Sequence, residues 1–196
     1  MFGDDSCGDP ALISPGSVLI ASTSLVGPTF VRSVIYMIEH DENGSLGVVL
    51  NRMSQAAVFN VLPRWAELAA APRAVFIGGP VQTESAVCLG VAKTGIDLAA
   101  QPRLHQVRGP VCMVDLDADP DELHPFLTGV RIFAGYAGWD AGQLAEEVSE
   151  GSWLIAPGLP ADLLAPATVD VWHEVLKRQQ WPLSLLATYP DDPRTN

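Results

Sequence analysis

The stretch from Val34 to Leu50 constrains the fold more than any other. Two runs rich in β-branched and large apolar residues, Val34-Ile35-Tyr36-Met37-Ile38 and Leu46-Gly47-Val48-Val49-Leu50, flank Asp41-Glu42-Asn43-Gly44-Ser45. β-branched side chains suit the pleated surface of a strand, and Asn-Gly suits the positive-φ positions of a type I′ hairpin turn. An antiparallel hairpin is expected. With Asn43-Gly44 as the loop, Glu42 faces Ser45, His40 faces Gly47 and Tyr36 faces Asn51. A loop longer by two residues changes the partners, yet alternation with period two keeps Tyr36, His40, Gly47 and Asn51 on one face.

The rest of the chain mixes short strands with short helices. Val18-Leu19-Ile20, Ala74 to Ile77, Ser85 to Ala92, Val111 to Val114, Gly129 to Ala134 and Ser152 to Ala156 read as strands, with another near Gln106. Ala56 to Ala70 reads as helix, divided at Leu62-Pro63 because proline fits only a first helical turn. Asp119-Pro120-Asp121-Glu122 carries a cap, a first-position proline and early carboxylates. Asp140-Ala141-Gly142-Gln143 repeats the cap logic, with Trp139 placed to staple onto Leu144. Val169 to Gln180 is the last helix, ended by Trp181-Pro182, after which Leu183 to Ala187 docks on the core. Strands in hairpins followed by strands mixed with helices give α+β. No polar, Pro/Gly-rich linker separates two apolar regions, so residues 1–196 are expected to form one domain with loose ends at 1–15 and 189–196.

Charge and cysteine usage narrow the partners. The 196 residues include 11 Lys and Arg against 23 Asp and Glu, a formal charge of −12. Nucleic-acid affinity rests on basic side chains neutralising phosphates, and the arginines here are scattered, so a nucleic-acid partner is not expected. Met1-Phe2-Gly3-Asp4-Asp5 lacks the basic start of a secretory signal, and no apolar run approaches the ~20 residues of a membrane-spanning helix. Cys7, Cys88 and Cys112 are odd in number and widely spaced. A reducing cytoplasm is the expected location, with no membrane association.

The chemical motifs are sparse. Asp115-Leu116-Asp117-Ala118-Asp119 has the alternating carboxylates that open a calcium loop, but Pro120 and Phe126 stand where glycine and glutamate are required. Helix capping explains the acids. No phosphate loop, dinucleotide fingerprint or nucleophile elbow occurs, and Gly78-Gly79-Pro80 reads as a turn. His40, His105, His124 and His173 are not spaced as zinc ligands. Neither a metal nor a cofactor is expected. Cys88 and Cys112 sit in apolar strands, where a thiol packs as a small hydrophobe. Trp65, Trp153, Trp172 and Trp181 are core candidates, whereas Trp139, beside glycines at a helix start, is the exposed exception.

Two longer segments carry a family likeness. One runs from Gly16-Ser17-Val18-Leu19-Ile20-Ala21 through Phe30, Arg32-Ser33-Val34 and Glu39-His40 to Gly47-Val48-Val49-Leu50-Asn51-Arg52. The other is Ile132-Phe133-Ala134-Gly135-Tyr136-Ala137-Gly138-Trp139 with Gly142-Gln143-Leu144 and Glu147, and Gly78-Gly79-Pro80-Val81 lies between them. From about Gly16 to Leu186 the chain resembles the YqgE/AlgH family. The resemblance implies a mixed, largely antiparallel sheet folded into a partial barrel with surrounding short helices, in a bacterial cytoplasmic protein. It implies no activity; the family's regulator label rests on a genetic association. Carried over by position, the motif residues that could line a groove are Arg32, His40, Asn51, Arg52, Tyr136, Trp139 and Gln143, with Gly79 and Gly138 explained by backbone geometry. Capping of backbone groups explains Asn51 and Gln143 equally well.

These readings favour a non-catalytic binding or regulatory protein that holds a protein or small-molecule partner near Gly135 to Gln143. One rival is a hydrolase-like enzyme assembled from distant segments, with His40, Asn51 and Arg32 as its groups. Another is a transcriptional regulator, although a basic recognition helix is missing from the sequence.

Overall fold

The structure is a computed structural model that describes residues 8–25, 29–181 and 183–188. Its strands are β1 (Ser17–Ala21), β2 (Val34–Asp41), β3 (Gly44–Val49), β4 (Met53–Ala57), β5 (Ala74–Ile77), β6 (Val81–Ala92), β7 (Leu104–Arg108), β8 (Val111–Val114), β9 (Leu127–Asp140) and β10 (Trp153–Pro157). They form one curled, largely antiparallel sheet in the order β10-β1-β2-β3-β9-β6-β8-β7, with β5 joining β9 in parallel and β4 beside β5. The helices are α1 (Val58–Val61), α2 (Pro120–Leu123), α3 (Gln143–Ser149), α4 (Pro160–Leu163) and α5 (Val171–Lys177).

Both faces of the central strands are covered, which is why β1 and most of β2 are buried without alternation. Val18, Ile20, Tyr36, Val48, Leu89 and Phe133 fill the inner side of the curl, where α5 adds Trp172, Val175 and Leu176. Alternate residues point the other way. Leu19, Ile35, Met37 and Val49 pack outward with Leu144 and Val148 of α3, and Cys88, Cys112 and Ile132 pack outward with Trp65 and Leu123. Burial raises the Cys88 thiol pKa and pushes that of Cys112 up to about 11, so both stay neutral as expected.

The central strand β9 owes its position to a chain crossing. β3 and β5 lie along one side of β9 and β6 along the other, so the link from β5 to β6 passes over it. The crossing uses Gly78-Gly79-Pro80: a Cβ on Gly78 would lie 2.2 Å from the Gly135 carbonyl oxygen, and one on Gly79 would lie 2.2 Å from the Tyr136 backbone. Gly135 completes the contact with φ +67°, a left-handed conformation that also shifts the strand's alternation. The motif glycines are therefore a place where two backbones touch.

Several expectations need correction. The hairpin turn is Glu42-Asn43, with Asp41 paired to Gly44, His40 to Ser45 and Tyr36 to Val48. Asp41 Oδ1 accepts the Asn43 N–H at 2.7 Å, and this local bond starts the turn one residue early. Among the described residues positive φ outside glycine occurs only at Arg32 and Gln82, so the turn is not type I′. Between Met37 and Glu39 the register shifts by a bulge, which sends Tyr36 and His40 to opposite faces. The strand read as Gly129 to Ala134 continues to Asp140, and α3 is entered through Gly142 at φ +78° instead of a side-chain cap. Met53–Ala57, read partly as helix, pairs as β4. Within the supposedly loose first 15 residues, Asp9 caps a short turn over Pro10–Leu12 and Ile13 is buried. The expectation for 189–196, and Cys7, lie outside the described residues. Trp139 is buried at 7% exposure while Trp181 is the exposed indole at 73%.

Candidate functional site

The expected site residues fall into two groups at opposite ends of β3. Gly44 starts that strand beside Asp140, and Asn51 follows it, so the groups stand roughly 20 Å apart at ~3.3 Å per strand residue. Arg32, Asn51 and Arg52 form one group. Asn51 Oδ1 accepts the Val34 N–H at 3.0 Å and its Nδ2 donates to the Arg32 carbonyl at 2.7 Å, which holds the loop before β2. Arg32 pairs with Asp170 at 3.1 Å and lies 4.1 Å over the Trp172 ring, tying that loop to the start of α5. Arg52 is half-buried, which lowers its guanidinium pKa, and its carbonyl accepts the Ile77 N–H. These residues lock the fold.

His40, Tyr136, Trp139 and Gln143 form the other group. Gln143 Oε1 accepts the Asp140 N–H at 3.0 Å, and its Nε2 donates to Glu147 Oε1 at 2.9 Å. Glu147 Oε2 accepts both indole N–H groups, from Trp139 at 3.0 Å and Trp153 at 2.8 Å. The two rings meet edge to face, 6.2 Å between centroids. Trp139 and Gln143 thus fasten α3 to the outer side of the sheet.

On the inner side the same strands form an open groove of about 440 Å³, lined by Glu39 and Asp41 of β2, Gly44 and Leu46 of β3, Tyr136, Gly138 and Asp140 of β9, and Val81 of β6, with Asn43, Ser45 and Trp139 also bordering it. Its construction follows from alternation. Tyr136, Gly138 and Asp140 are spaced by two, as are Glu39 and Asp41, and Gly44 and Leu46, so all project to one face. Gly138 leaves room for the Tyr136 ring, which a Cβ there would meet at 3.3 Å. The groove is thus lined by the apolar and aromatic side chains of Leu46, Val81 and Tyr136 together with three carboxylates. The Asn43 backbone N–H bonded to Asp41 lowers that carboxyl's pKa from its ordinary value.

The catalytic grouping of His40 with Asn51 and Arg32 is not assembled. His40 Nδ1 instead meets Ser45 Oγ at 2.7 Å. Ser45 pairs with Trp139 and both border the groove, whereas His40 does not line it. Among the described residues no group of three or more His, Cys, Asp or Glu could hold a metal ion, and no helix is long and apolar enough to cross a membrane.

Of the expected site residues Tyr136 and Trp139 line the groove, while sequence reasoning missed Glu39, Asp41, Asn43, Gly44, Ser45, Leu46, Val81 and Asp140. The signal was the i, i+2, i+4 spacing of Tyr136, Gly138 and Asp140, obscured because two glycines make 135–140 look like a loop.

Comparison with known proteins agrees with the fold. The family described as AlgH-like matches residues 18–184. A UPF0301 protein of Mycolicibacterium gilvum is 54% identical over 92% of this chain and 88% of its own length. One from Mycobacterium marinum is 52% identical over 94% of this chain and 92% of its own. A crystal structure from Corynebacterium diphtheriae superposes with a TM-score of 0.88 at 44% identity, covering 96% of this chain and 100% of that one. The solution structure of AlgH from Pseudomonas aeruginosa gives 0.63 at 28% identity, over 91% of this chain and 95% of that one.

Proposed function

This chain belongs to the AlgH-like family, and from that premise we propose that it is a non-catalytic binding protein, holding a protein or small-molecule partner in the inner groove without transforming it. The observation that carries the reading is the groove itself: Tyr136 and Gly138, both from the segment that carries the family likeness, line it together with three carboxylates. Concave sites with an apolar base and a few convergent polar groups are the usual form of ligand sites. A regulatory role follows if the partner is another protein whose availability the complex changes.

The test is a paired retention experiment on immobilised wild type and Gly138→Phe, with retained proteins and small molecules identified by mass spectrometry from a lysate of the source cells. Gly138 is exposed, so the added ring fills the groove without entering the core. A species retained by wild type and lost with the variant is expected. Identical retention by both proteins overturns the proposal.

A further inference from the structure

The groove has an unfinished edge. β3 pairs with Gly44↔Asp140 to Gly47↔Ala137, along the last part of β9, whereas β6 pairs with β9 only as far as Val81↔Tyr136. The chain before Val81 is the Gly78–Pro80 crossing, which lies over Gly135 and Tyr136. Past Tyr136, therefore, no described strand lies on the β6 side of β9. The Asp140 N–H goes to Gln143 Oε1, which places Asp140, and Gly138 two residues before it, where backbone groups point away from β3. Gly138 is exposed and carries no side chain to cover its amide and carbonyl. A strand edge of this kind is a template for an added strand.

The charge around the edge selects what is added. Asp140 stands on the edge strand, and Glu39 and Asp41, two strands away on β2, line the same groove, in a chain whose formal charge is −12. A second copy would bring like charge to this place. A segment with Lys or Arg at every second position would turn those side chains to the carboxylates, since alternate residues of a strand share a face. Resting on the binding reading above, we infer that the partner is an extended basic segment of another protein, which pairs with Gly138 as an added strand and sets alternate cationic side chains against Asp140, Glu39 and Asp41.

The experiment uses the full chain labelled with ¹⁵N and titrated with acetyl-Lys-Val-Lys-Val-Lys-amide. Three probes accompany it: the isomer acetyl-Lys-Lys-Lys-Val-Val-amide, the alternating peptide N-methylated on every second residue, and spermidine. The expected result is that the alternating peptide shifts the Gly138 and Asp140 resonances and slows exchange of the Gly138 amide hydrogen about tenfold. The isomer and the N-methylated peptide should bind several-fold more weakly. Glu39→Gln with Asp140→Asn should weaken the alternating peptide about tenfold, and so should added salt. Three results overturn the inference: no shift with the alternating peptide, equal binding of all three peptides, or shifts matched by spermidine without slowed exchange. The last result would leave a groove that binds cations and so spare the broader reading, which identical retention by wild type and Gly138→Phe would remove.

Discussion

The Glu147 carboxylate accepts hydrogens from two indoles and one carboxamide, and the acceptor-only chemistry of an ionised acid makes that possible. In Glu147→Gln an amide occupies one oxygen's place and can set N–H against N–H. A loss of about 1–3 kcal/mol is expected, read as a lower urea midpoint together with changed tryptophan fluorescence. Gly78 is a second point of sensitivity, because the Cβ of Gly78→Ala would meet a backbone oxygen that cannot swing aside. A cost of about 3 kcal/mol or more is expected, and a midpoint within error of wild type would contradict the crossing. Of the residues singled out from sequence, Gln143 and Asn51 turned out to serve backbone groups, as capping chemistry allowed. Trp139 was read as exposed because glycines flank it, and the sequence could not reveal that Glu147 and Trp153 would enclose it.

At the scale of elements, the hairpin of β2 and β3 was legible in its runs of β-branched residues, but its register was not. Asn43-Gly44 pointed to one turn, while the Asp41 side chain built another and a bulge near Ile38 absorbed the difference. Local hydrogen bonds of this kind compete with turn statistics on nearly equal terms. In Asp41→Ala the Asn43 amide loses its acceptor. Its hydrogen exchange should quicken by about tenfold while the buried Val48 amide stays protected; equal rates in both proteins would show that the backbone alone holds the turn. β9 hid its length for a related reason. Gly135 and Gly138 weaken any strand signal, yet here one supports a crossing and the other lines the groove, so the groove vanished from the sequence along with the strand.

For the molecule as a whole, α+β class followed from patterning and the partial barrel with surrounding helices from the family resemblance, while the arrangement of strands around β9 did not follow from either, since contacts between distant segments leave no local trace. Burial also sets a response to alkali. Tyr36 has its phenol pKa raised to about 12, first by desolvation and then by Asp162, with Arg108 opposing. Between pH 10 and 12 the unfolded chain loses this proton and the folded one keeps it, so stability falls as pH rises, by about 2–3 kcal/mol over the window. Arg131, lowered to about 10 by burial, acts in the opposite direction. Because both proteins retain it, comparing urea midpoints of wild type and Tyr36→Phe at pH 9 and pH 11 isolates the phenol, and the variant should lose less. Equal losses would place the titration elsewhere. The late position of β9 in the chain has a consequence for biosynthesis. When β1 to β8 have emerged from a ribosome, the segment that β3, β5 and β6 all require has not yet followed them. The nascent polypeptide carries open strand edges until residue 140 leaves the exit tunnel, and unpaired edges of this kind favour aggregation through that interval.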